Sequence, residues 1–180
     1  MTDDPGPWIT YSAIRWLQTF LHPRMRVFEW GAGQSTVWFA QRVHSIITVE
    51  DDPSWFRQVM DQIGEAGVLN AQVNLIQPSE DLGWDLYAGA IDGYEIPFDL
   101  IYIDGHLKSR LFCAGHAIRA AGENTVILLD NSDTTLEAAA LLKGWAAEYA
   151  TFYGAGSGKQ EWETTFYYPK TQGNPLHVDL

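Results

Sequence analysis

The chain has 180 residues, a length at which one domain can enclose a substantial core, and it is read here as a single domain over 1–180. Apolar residues make up 46% and charged residues 19%, with eight each of Trp, Tyr and Phe, which excludes an intrinsically disordered chain. Eleven Lys and Arg against 23 Asp and Glu leave a formal net charge of -12 with no basic cluster, which argues against nucleic acid or an anionic membrane as a partner.

The opening MTDDPGPWIT is acidic where a secretory signal would be basic and then apolar, and no apolar run reaches the length of a membrane span. The expectation is a cytoplasmic protein. ITYSAIRWLQTFL (9–21) places Ile14, Leu17, Phe20 and Leu21 at helical spacing, ended by His22-Pro23. RVFEW is a first strand, STVWFAQRV a helix, SIITVE (45–50) a second strand, and PSWFRQVMDQIGEAG a helix opened by Pro53 and closed by Gly64 or Gly67. NAQVNLIQ reads as a third strand, and 79–97 as a long segment without clear periodicity. FDLIYID (98–104) and TVILLD (125–130) are nearly all apolar, as strands covered on both faces would be, with the helix RLFCAGHAIRAAG between them. The lone Cys113 falls in that helix as a buried residue. TTLEAAALLKGWAAEY is a last helix, and ATFYGAG with EWETTFYYP (161–169) closes the chain as an antiparallel pair around a Gly-Ser turn. This alternation predicts an α/β fold: a doubly wound, Rossmann-like sheet, mostly parallel with a C-terminal antiparallel hairpin, whose ligands bind at the C-terminal ends of the strands.

At the end of the first strand stands VFEWGAGQST (27–36). Gly31 and Gly33 permit a tight turn and a close approach of ligand to backbone, yet Thr36 occupies the place of the third glycine of a dinucleotide fingerprint. Glu29 adds negative charge where a pyrophosphate would sit, and instead suits a ligand with an ammonium group. Glu50 ends the second strand, 21 positions later, where a carboxylate can accept hydrogen bonds from ribose hydroxyls. Ribose and ammonium without pyrophosphate describe S-adenosylmethionine.

Four segments in order, VFEWGAGQST, ITVEDDP, FDLIYIDGH and TVILLDN, make the chain resemble the class I S-adenosylmethionine-dependent methyltransferases over nearly its whole length. The resemblance implies that Glu29, Gly31, Gly33 and Ser35 surround the methionine part, with Glu50 on the ribose and Ser79 and Glu80 near the adenine. The later segments look most like catechol and caffeoyl-CoA O-methyltransferases, which implies a divalent cation such as Mg²⁺ on Asp104, Asp130 and Asn131. The chain departs from that pattern, because the family's basic Lys is one place late, at Lys108. The strand end IDG also occurs in metal-free relatives of this fold, where the Asp would sit near donor or acceptor. The metal and the base both stay open at this stage. His106 is the preferred general base, because imidazole titrates near neutral pH, with Lys108 as its competitor. His22, His44, His116 and His177 fall at no strand top.

Trp84, Tyr87 and Tyr94 either cover a planar acceptor or pack the core, and Trp8 and Ile9 either close over the cofactor or staple the first helix. The resulting expectation is methyl transfer to an oxygen, or alternatively a nitrogen, of a small molecule. Its rivals are a nicotinamide-type oxidoreductase on the same kind of sheet and a non-catalytic cofactor-binding domain. The acceptor and the oligomeric state cannot be read from the sequence.

Overall fold

Apolar segments of period two alternate with amphipathic ones, and the structure, a computed structural model describing residues 6–156 and 161–170, turns them into strands and helices in that order. The elements are α1 (Tyr11–Phe20), β1 (Arg26–Trp30), α2 (Gln34–Ala40), β2 (Ser45–Glu50), α3 (Pro53–Ala66), β3 (Ala71–Leu75) and α4 (Asp85–Ala88). They continue with β4 (Leu100–Ile103), α5 (Arg110–Ala120), β5 (Val126–Asp130), α6 (Leu136–Trp145), β6 (Glu148–Ala155) and β7 (Glu161–Tyr168). Single 3₁₀ turns follow α4 (Gly89–Gly93) and precede α5 (Leu107–Ser109). No helix among the described residues is long and apolar enough to cross a membrane.

Among the described residues seven strands form one sheet in the order β3-β2-β1-β4-β5-β7-β6. The first five are parallel, β7 pairs antiparallel with β5, and β6 pairs antiparallel with β7. The order reverses between β1 and β4, and a doubly wound sheet opens a ligand crevice at such a switch point.

Alternation along the strands sends side chains to two cores. Phe28, Trp30, Ile101, Ile103, Ile127 and Leu129 pack with Cys113, Ala114, Ala117 and Leu142 of α5 and α6. Val27, Ile46, Leu100 and Leu128 pack with Ala13 and Leu17 of α1 and with Trp38 and Phe39 of α2. The face that carries Val27 also carries Glu29, opposite Thr48 of β2 and Tyr102 of β4.

Several boundaries differ from the sequence expectation for local reasons. Thr10 caps α1 by accepting from the Ala13 amide at 3.4 Å, which leaves Ile9 outside the helix and buried in the core. Asn70 Nδ2 donates to the Ala40 and Val43 carbonyls at 2.8 and 3.0 Å, and so ends α2 at Ala40 rather than Val43. Asp52 and Pro53 open α3, and Gly67, at φ 63°, closes it. Thr134 and Thr135 turn back onto the Asn131 carbonyl, so α6 begins only at Leu136. It stops at Trp145 because the Ala147 amide donates to the Tyr168 carbonyl and starts the hairpin.

The segment 79–97 is more ordered than its sequence suggests. Ser79 and Gly83 close a tight turn, and Tyr87 and Ile91 of the following helical turns are fully buried. Tyr94 stacks edge-on against Phe28 and Phe98. For Tyr87 and Tyr94 the packing reading therefore holds. The Gly-Ser turn of the hairpin and His177 lie outside the described residues.

Candidate functional site

The tops of β1, β4, β5 and β7 border a cavity of about 630 Å³, within the range of small-molecule sites. Ala32, Gly33, Gln34 and Ser35 line it from the turn after β1, and Asp104, Asp130 and Asn131 from the strand ends opposite. Trp8, Trp55 and Trp162 supply aromatic walls, and Gln62 completes the rim. Of the residues marked from sequence, the structure thus gathers Gly33, Ser35, Asp104, Asp130 and Asn131 into one space.

The turn after β1 is built on glycine. Gly31 has φ 90°, and a Cβ there would meet the Gly105 backbone at 2.7 Å, so the β1 and β4 loops touch through two glycines. A Cβ on Gly105 would in turn collide with the Tyr87 hydroxyl.

Glu29 stands beneath this turn, not in the cavity. It is fully buried, and its carboxylate accepts from the hydroxyls of Ser35 (2.5 Å), Thr36 (2.6 Å) and Thr48 (2.8 Å). Burial pushes its carboxyl up to about 7 against those hydroxyl bonds. With no exposed surface, Glu29 fixes the start of α2 through Ser35 and Thr36, and of these Ser35 lines the cavity.

Glu50 is also a buried organiser. Its Oε2 accepts from the Ala32 amide at 2.9 Å, and its Oε1 from the Asp51 and Asp52 amides at 2.9 and 2.8 Å. Burial raises its pKa, opposed by these amides. A carboxylate offers about four acceptor positions, so about one is left on Oε2 for a ribose hydroxyl.

Ser79 and Glu80 belong to the turn after β3, where Ser79 Oγ accepts from the Leu82 amide at 2.9 Å and Glu80 is exposed. Neither lines the cavity. His106 is likewise outside it: the ring stacks on Trp84 with centroids 4.8 Å apart, and Nδ1 accepts from the Lys108 amide at 3.2 Å. Neither His106 nor Lys108 is among the residues that line the cavity.

The strand ends opposite are organised by a residue that sequence reading missed. Arg110, 4% exposed, donates from Nε to the Gly105 carbonyl (2.9 Å) and from Nη2 to the Asp104 carbonyl (3.2 Å) and Oδ1 (3.1 Å). From Nη1 it reaches the Asp130 carbonyl and Asn131 Oδ1 (3.3 Å). Tyr102 donates to the other Asp104 oxygen at 2.8 Å. Asp130 Oδ1 accepts from the Trp162 indole (2.9 Å) and the Thr164 hydroxyl (2.6 Å).

Burial raises Asp104, with Arg110 and Tyr102 opposing. Burial and the neighbouring Asp104 push Asp130 up to about 7. Asn131 takes φ 50°, the one positive value outside glycine among the described residues, which Asn tolerates better than most side chains.

This arrangement does not fit a divalent cation. Asp104 Oδ1 and Asn131 Oδ1 already accept from a guanidinium, whose charge repels a second cation, and Asp130 Oδ1 is occupied twice. No group of three His, Cys, Asp or Glu able to hold a metal occurs among the described residues. The Mg²⁺ expectation on Asp104, Asp130 and Asn131 finds no support in this arrangement.

No family model and no curated protein matches the chain. Solved structures do. The O-methyltransferase from Bacillus cereus in complex with SAH superposes with a TM-score of 0.70 at 18% identity, covering 90% of this chain and 82% of its own. The O-methyltransferase TomG from Streptomyces achromogenes, in complex with SAM, gives 0.65 at 16%, covering 81% and 73%. An rRNA methylase from Streptococcus thermophilus gives 0.65 at 10%, covering 89% and 96%. The chain has the Rossmann-like fold of these methyltransferases.

Proposed function

We propose that residues 1–180 form one S-adenosylmethionine-dependent methyltransferase domain acting on a small-molecule acceptor. The observation that carries this reading is the cavity itself. It joins the glycine turn after β1 to a pair of aspartates at the C-terminal ends of β4 and β5, at the switch point of a sheet shared with methyltransferases.

Gly33, Gln34 and Ser35 would border the methionine part of the donor, and the remaining position on Glu50 would take one ribose hydroxyl. The bound donor would supply an already activated methyl group, so the protein's share is alignment and proton acceptance. Asp104, whose side chain keeps 23% of its surface open, is held by Arg110 on one oxygen and Tyr102 on the other. From there it accepts the proton of an acceptor O–H or N–H, in the role first given to His106. Trp8, Trp55 and Trp162 enclose the acceptor with apolar surface and limit water.

Calorimetric titration with S-adenosylmethionine and, separately, NADH tests the assignment. Heat with the methyl donor and none with NADH is expected. The reverse would replace the reading with an oxidoreductase, and donor binding without product from a broad acceptor screen would make the chain a non-catalytic binding domain. In the same assay Glu50→Ala should weaken donor binding about tenfold or more, since it also frees the Ala32, Asp51 and Asp52 amides that shape the turn. Unchanged affinity would remove Glu50 from the ribose site.

A further inference from the structure

We infer that Arg110 is the resident cation of this site, a positioning residue that stands among the oxygens of Asp104, Asp130 and Asn131 in place of a metal ion. A guanidinium has five N–H donors, and Arg110 makes five contacts: three to the carbonyls of Asp104, Gly105 and Asp130, and two to Asp104 Oδ1 and Asn131 Oδ1. No donor is left over for a ligand. Its side chain is 5% exposed, so its charge acts through the groups it holds and not by direct contact.

Those groups come from the ends of β4 and β5, neighbouring strands whose ladder runs up to Ile103 against Leu129. Arg110 ties the loop after β4 to the turn after β5 and aims Asp104 at the cavity. It also balances part of the charge of two neighbouring carboxyls at the top of a chain with formal charge -12.

The consequence for substrate rests on the methyltransferase reading. With Asp104 Oδ1 and Asn131 Oδ1 held by the guanidinium and Asp130 Oδ1 by Trp162 and Thr164, an acceptor is not captured as a two-oxygen chelate on a hard metal ion. It presents a single O–H or N–H to Asp104 instead.

The test needs no methyl donor, so its failure and the failure of the methyltransferase reading are separable. Mn²⁺ is titrated into the protein and the free ion followed by electron paramagnetic resonance. The wild-type chain is expected to retain none at a defined site. Arg110→Ala is expected to gain one site that binds at least about tenfold more tightly than any wild-type background. That site should vanish in Arg110→Ala with Asp104→Asn, and added methylguanidinium should displace the ion from it, which a merely structural arginine would not explain.

One Mn²⁺ held by the wild-type protein and lost in Asp104→Asn overturns the inference. So does a folded Arg110→Ala protein, by circular dichroism, that gains no site. Should that variant fail to fold, Arg110→Met, neutral and of similar length, takes its place in the titration and is read in the same way.

Discussion

At the residue scale, the two acidic groups that look most like ligand contacts in the sequence are both bonded within the protein, Glu29 to three hydroxyls and Glu50 to three amides with an acceptor position to spare. A carboxylate at the top of β1 reads as solvent-facing or ligand-facing, and nothing in VFEWGAGQST says that Ser35, Thr36 and the distant Thr48 will close over it. Arg110 was legible in one respect: a cation in the first turn of a helix opposes the helix dipole, and α5 bears that unfavourable arrangement at its first residue. What could not be read was its target, because Asp130 and Asn131 lie 20 and 21 positions further on.

Glu29 carries a testable pH dependence. Its carboxyl rises from 4.5 to about 7 on folding, so the native state holds the proton more tightly than the unfolded chain. The resulting stability is full below 4.5 and is lost as pH rises through about 7, up to about 3 kcal/mol for the group. The melting temperature should fall over that interval. Glu29→Gln is neutral at every pH and should flatten the fall; an equally steep decline would assign it to Asp130, the other carboxyl pushed up to about 7.

At the element scale, strands were easier to read than the ends of helices. Runs such as SIITVE are bounded by their own composition, and β2 matches it residue for residue. Helix ends depend on distant partners, as with Asn70 at the end of α2 or Tyr168 beyond the end of α6.

The stretch 79–93 was the least legible, since its order comes from α5. His116 on that helix, 6% exposed, meets Asp92 at 2.8 Å and Asp85 at 3.3 Å, and the Arg119 guanidinium reaches the same imidazole at 2.7 Å. His116→Ala should raise amide hydrogen exchange across 85–93 several-fold while leaving β1 and β5 protected. Uniform loosening of the whole sheet would mean that the tie is not local.

At the scale of the whole molecule, the doubly wound sheet and its antiparallel end were legible, because alternating strands and helices leave few topologies open. The strand order was not. That β7 inserts between β5 and β6 is decided by the register of Leu128 against Phe166 and of Asp130 against Thr164, pairs separated by more than thirty residues.

The insertion bears on how the protein is made. A nascent chain that has emerged only to Ala155 exposes β5 as a bare edge, and Asp130 then lacks both Trp162 and Thr164. The cavity wall that Trp162 supplies is therefore added only when 161–168 have cleared the ribosome and β7 pairs with β5 and β6. A ribosome-arrested chain exposed to residue 155 should be cut by protease near β5, and one exposed through 170 should resist. Equal resistance in both would show that the sheet closes without its final strand.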